Sequence, residues 1–153
     1  MSLRDRVNTA LKEAMKEKAA DRLSTLRLIN AAIKDRDIAA RGEGNEDGVS
    51  EDVVLAILGK MVKQRQESAR AYEEGGRLDL SERERAEIVI IEEFLPRQMD
   101  EAETRAAIDK AITDLGAEGI RDMGRVMAAL KERHAGQMDF GAVGPAVKDR
   151  LLA

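Results

Sequence analysis

Three observations predict an all-α fold for this chain. Apolar residues recur at helical spacing from one end of the sequence to the other. Aromatic residues make up only 2% of its 153 residues, so the core has to be built from Leu, Ile, Val, Met and Ala, which suits helix packing better than a sandwich. Charged residues reach 37% with only two prolines, the composition of long, solvated helices. The pattern divides into a helical N-terminal domain over residues 1–96, containing a long helical hairpin, and a small three-helix C-terminal tail domain over residues 97–153.

The first helix carries Leu3, Val7, Leu11, Ala14 and Met15 on one stripe, with Ser2 placed to cap it. A second is predicted from Asp21 to about Arg41, sending Leu23, Leu26, Ile29 and Ile33 toward the core. Gly42-Glu-Gly-Asn-Glu-Asp-Gly48 then breaks the periodicity and reads as an exposed, mobile loop. Ser50 opens a third helix, with Glu51 and Asp52 at its positive end. Val54, Ile57, Leu58, Met61, Val62, Arg65, Ala69 and Tyr72 follow a near-heptad course as far as Gly75-Gly76. Such a helix is about 35 Å long at 1.5 Å per residue, and it is expected to pair with the second helix as the hairpin.

Ser81-Glu-Arg-Glu84 reads as a capping box opening a fourth helix. Its tail, Ile88-Val-Ile-Ile91 with Phe94 and Leu95, is the most apolar stretch of the chain. Adjacent apolar residues suit a strand too, but the cap and the glutamate-rich flanks favour a buried helix end. Pro96 lacks a backbone donor and biases Leu95 out of the α region, which places the domain boundary near residues 96–99. Asp100-Glu-Ala-Glu103 is a second capping box; the helix it opens presents Ile108, Ile112 and Leu115 and closes at Gly116. Ile120, Met123, Met127 and Leu130 mark a sixth helix ending before Gly136. Asp139 caps a seventh with Phe140, Val143, Val147 and Leu151 as its stripe. Proline is tolerated only near a helix start, so Pro145 leaves a start at Val143 or Gly144 as the alternative.

Covalent chemistry finds little support in these residues. There is no cysteine, hence no disulfide, thiolate nucleophile or Cys-based zinc site, in keeping with a reducing interior or with indifference to redox conditions. The N-terminal residues hold no continuous apolar segment like that of a secretory signal, and no apolar run approaches membrane-spanning length, so a cytoplasmic location with no membrane partner is expected. His134 is the only histidine, which rules out a His-His metal pair or a Ser-His-Asp triad within one chain. It falls in the last turn of a predicted helix and reads as structural. Glu43, Asn45, Asp47 and Gly48 resemble the first half of a calcium loop, but Val54 stands where a bidentate Glu is required. Glu92 and Glu93 have no recognisable base or nucleophile beside them. No catalytic residue, metal ligand set or cofactor is expected.

Charge distribution says more than the net value of −4. Residues 1–36 carry nine Lys/Arg against five Asp/Glu, and residues 60–70 carry Lys60, Lys63, Arg65 and Arg70 against Glu67 alone. Lys60, Lys63 and Arg70, with Gln64 and Gln66, would project from the long helix at spacings suited to phosphate contacts. With two Phe, one Tyr and no Trp, stacking platforms for bases are missing, so any RNA would be read by shape and backbone. In the tail, Arg121 and Arg125 lie about one turn apart with Gly124 between them, and Lys131, Lys148 and Arg150 follow. Gly124 either admits another backbone or packs against the chain's own neighbouring helix. Nine bases against ten acids over residues 97–153 make the tail nearly neutral, which allows specific contact but not bulk attraction.

Read together, these segments resemble the GatB/YqeY family, and its YqeY-like stand-alone members above all. The resemblance covers nearly the whole length. It rests on Leu11-Lys-Glu-Ala-Met-Lys16, Arg22-Leu-Ser-Thr-Leu-Arg-Leu-Ile29 with Ala32-Ile-Lys34, and Lys63-Gln-Arg65 with Glu67-Ser68. Glu92-Glu-Phe-Leu-Pro96 with Gln98 and Met123-Gly-Arg-Val-Met127 with Gly136 and Asp139 complete it. The resemblance implies an all-helical N-terminal domain and a helical tail similar to the one that ends the B subunit of tRNA-dependent amidotransferases, where the tail is associated with tRNA. It further implies a link to carbon–nitrogen ligase chemistry with glutamine as amido donor, though the body of that subunit, which binds ATP and guides ammonia, has no counterpart in this chain. The partners implied are tRNA, amidotransferase subunits or other proteins of tRNA metabolism. Lys60, Lys63, Arg70, Arg121, Gly124, Arg125, Lys131 and Lys148 are the residues expected to meet them.

Overall fold

A computed structural model describes residues 2–153, which form seven α-helices and a short 3-10 turn, with no strand among the described residues. The chain divides into two compact units, Met1–Pro96 and Arg97–Ala153.

The first unit contains α1 (Leu3–Glu17), α2 (Ala20–Gly42), α3 (Glu51–Glu74) and α4 (Leu78–Glu92). Ser2 caps α1 by accepting from the Asp5 amide. Leu26, Ile29, Leu58 and Ile91 have no exposed surface and form the core with Val7, Ile33, Val54 and Phe94. On α1 the inward line continues through Ala10 and Ala14, while Met15, about 100° further round the helix, is 54% exposed rather than part of the stripe.

The long hairpin differs in membership from the sequence expectation. α3 pairs most extensively with α4, and α2 pairs mainly with α1. The turn at Gly75-Gly76-Arg77 is short, with Gly76 at φ 75°, and so returns the chain directly alongside α3. Polar contacts then fasten the pair: Arg65 Nε donates to Glu87 at 2.7 Å, and Glu73 accepts from Ser81 Oγ at 2.9 Å and Arg85 at 2.6 Å. Ser81 is therefore not an N-cap. It is buried in a helix that starts three residues earlier at Leu78, and its hydroxyl is used across the hairpin.

The α2–α3 loop also departs from expectation at its far end. Asp37 accepts from the Val49 amide at 2.9 Å, and Arg4 bonds both Asp37 and the Val49 carbonyl. A Cβ on Gly48 (φ 85°) would sit 2.7 Å from Asp37 Oδ1, so glycine is what lets the chain pass this carboxylate.

The second unit contains α5 (Glu101–Leu115), the 3-10 turn Ile120–Asp122, α6 (Met123–Arg133) and α7 (Phe140–Leu152). The Asp100/Glu103 capping box forms with both of its bonds, and Gly116 closes α5 in the left-handed region at φ 60°. Ile108, Ala111, Val126, Leu130, Met138, Val143, Val147 and Leu151 make the core. Ile120 lies outside it at 45% exposure, because the Asp122 carboxylate accepts from the Glu118 and Gly119 amides of the preceding turn and interrupts the helical register there. α7 begins at Phe140, earlier than Pro145 suggests. The Asp139 side chain accepts from the Gly141 amide and its carbonyl accepts from Ala142 and Val143, so the first turn is secured before the proline is reached.

Candidate nucleic-acid and partner interface

In the first unit, Lys60, Lys63 and Arg70 are all exposed on α3. At about 100° per residue they fall within one third of the helix circumference, opposite the buried Val54, Leu58, Met61 and Ala69. Ten residues separate the first from the last, about 15 Å along the axis. Glu67 shares this face. Arg65 does not: its side chain is only 15% exposed and is turned onto Glu87 and the Met61 carbonyl. Of the four bases in this stretch, three are thus presented to solvent.

In the second unit, Arg121 is exposed on the 3-10 turn and borders a shallow depression lined by Glu118, Gly119 and Ile120. Arg125 is exposed but engaged, donating to Asp122 Oδ1 at 2.9 Å. The Glu118 amide first, then Arg125 and the Gly119 amide, hold the Asp122 carboxyl below its usual range. Gly124 resolves the alternative left open by the sequence: a Cβ there would meet nothing within 4 Å, so it packs against no neighbouring helix. Gly144 of α7, by contrast, does lie against a neighbouring helix, where a Cβ would stand 3.9 Å from Met123 Cε. Lys131 is seven residues beyond Gly124 on α6 and exposed; Lys148 is exposed on α7 and makes no ion pair among the described residues.

The arrangement offers surfaces for contact. Among the described residues no group of three or more His, Cys, Asp or Glu could hold a metal ion. His134 closes α6 and stands 3.3 Å from Gln137 Oε1. Glu93 is tied by Arg22, and Arg6 donates to its carbonyl while lying 5.6 Å from the Phe94 ring centroid. Glu93 is therefore part of the packing of α1 and α2 on the end of α4. No described helix is long and apolar enough to cross a membrane.

These features define an all-helical protein of two units. The family model for Yqey-like proteins matches residues 4–151, and the chain belongs to that family. It is also 33% identical over 107 residues to "Altered inheritance of mitochondria protein 41, mitochondrial" from Lachancea thermotolerans. That match covers 69% of this chain and 55% of the relative, so the chain spans about half the length of the curated protein it matches.

Proposed function

We propose that this protein is a non-catalytic, cytoplasmic adaptor that binds tRNA through backbone contacts. The observation that carries the reading is the exposed row Lys60, Lys63 and Arg70 on one face of the 24-residue helix α3. Its length suits several phosphates of one groove edge, and the chain's low aromatic content of 2% suits shape rather than base recognition. Arg121, Gly124, Arg125, Lys131 and Lys148 form a second candidate surface within the tail unit, as the resemblance to the amidotransferase B-subunit tail suggests.

The test is tRNA binding measured against salt concentration. Each of Lys60→Ala, Lys63→Ala, Arg70→Ala and Arg121→Ala takes away one phosphate partner and should flatten the log–log slope by about one. Gly124→Ala should leave the fold intact, its Cβ meeting nothing within 4 Å, while weakening any partner that approaches this backbone. Absence of binding at low salt sinks the RNA reading.

A second reading is favoured by Gly124 itself. An exposed helical glycine without an internal packing role suits close approach of another protein. The partner would then be a glutamine-dependent tRNA amidotransferase to which this chain is accessory, the partner supplying all carbon–nitrogen ligase chemistry. Titration of purified amidotransferase subunits with the wild type and Gly124→Ala separates this from RNA binding.

A further inference from the structure

We propose that the protein self-associates through the outward face of α2, with two copies packed antiparallel about Ala31. α2 turns Leu26, Ile29 and Ile33 into the core. Yet its opposite side carries apolar residues among the charges: Leu28 is 45% and Ile38 63% exposed, with Ala31 exposed between them. A surface helix normally keeps that side polar. Nothing among the described residues of the first unit covers it.

The charges around this row say what would. Arg27 and Asp35 lie four residues either side of Ala31, both exposed, and neither has an ion-pair partner among the described residues. An antiparallel dyad through Ala31 sets each residue against the one equally far on the other side. Arg27 of one copy then faces Asp35 of the other, about 6 Å from the dyad, and the pairing occurs twice. A parallel arrangement would set Arg27 against its own copy. The methyl group of Ala31 at the crossing permits a short interaxial distance. Lys34 falls opposite Leu28, where its aliphatic stem can cover the leucine while the ammonium stays in water. Ile38 falls opposite Ser24. The mixed signs of Arg27, Lys34 and Asp35 give an anionic lipid surface little to attract, which leaves a self-complementary partner as the better fit.

One helix pair is at the low end of interface size, so dissociation in the range of roughly 10–100 μM is expected. Sedimentation equilibrium of the full chain, carried to about 500 μM so as to exceed that range, should show a monomer–dimer equilibrium. Arg27→Glu alone and Asp35→Arg alone should each weaken it at least about tenfold, since each places like charges together twice. An equimolar mixture of these two variants should dimerise again, because every pair is then of opposite sign. The chain has no cysteine, so Ala31→Cys introduces a single thiol, and mild oxidation should yield a disulfide-linked dimer. All of these positions are exposed, and far-UV circular dichroism checks that each variant keeps its helices. A monomer at every concentration, a dimer indifferent to both charge reversals, or a mixture that fails to recover would each overturn the proposal.

Discussion

Asp37 ties three separate parts of the first unit together. It takes two bonds from Arg4 at 2.5 and 2.6 Å and one from the Val49 amide at 2.9 Å, joining α1, α2 and the start of α3. Its carboxyl is held at about 2, first by the Arg4 bond and then by the Val49 amide, against an ordinary value of 3.8. A folded-state value below the unfolded one means that the stabilisation is present above about pH 4 and is lost as pH falls from there toward 2. Asp37→Ala should cost on the order of 1–3 kcal/mol at neutral pH, because Arg4 and the Val49 amide lose their acceptor in a partly buried place. Thermal unfolding followed from about pH 6 down to about pH 2 checks both statements. The variant should start lower and should lose less stability than the wild type across the acid window. Equal losses would mean that other carboxylates govern the acid sensitivity.

At the level of the element, the caps were legible and the pairings were not. Ser2, Ser50, Asp100 and Asp139 each accept the amide bond that their position suggested, because a cap is decided within a few residues. Which helix packs on which depends on connection length and on distant contacts such as Arg65–Glu87, which no local period reveals. Ser81 shows the limit most clearly: its spacing to Glu84 satisfies the capping box, yet its hydroxyl is claimed by Glu73 on another helix. The basic face of α3 was half legible. Exposure of Lys60, Lys63 and Arg70 and the place of Arg65 on the inward stripe both follow from the heptad course, whereas the pairing of Arg65 with Glu87 required knowing which helix lies alongside. Pro145 gives this scale its test. It sits inside α7 and cannot donate to the Gly141 carbonyl one turn earlier. Its own position is exposed, so Pro145→Ala should restore that bond without disturbing the core and raise the stability of the second unit by about 1 kcal/mol or more. Urea denaturation followed by circular dichroism measures it. A loss of stability instead would show that the proline's fixed φ is what holds the Asp139 turn in place.

For the whole molecule, the two cores are built from separate residues. The first spans Leu3 to Phe94, the second Ile108 to Leu151, and no residue belongs to both. The second unit, Arg97–Ala153, is small. Ala111, Val126, Val143 and Val147 make up half of its core, so its own stability should be only a few kcal/mol. The first unit has the larger core and the Asp37 and Arg65 ion pairs besides. Their unfolding should therefore not coincide, with the tail going first. The chain offers a convenient pair of probes for this. Tyr72, on α3, is the only tyrosine and there is no tryptophan, so intrinsic fluorescence excited in the near ultraviolet reports the first unit alone. Helical circular dichroism reports both. In a urea titration the dichroism should begin to fall at a lower concentration than the Tyr72 signal changes, and its curve should require two transitions. Removing residues 97–153 should delete the earlier transition and leave the tyrosine curve where it was. Superimposable curves from the two probes would instead mean that the units unfold as one, and the tail could not then be treated as a separately stable binding module.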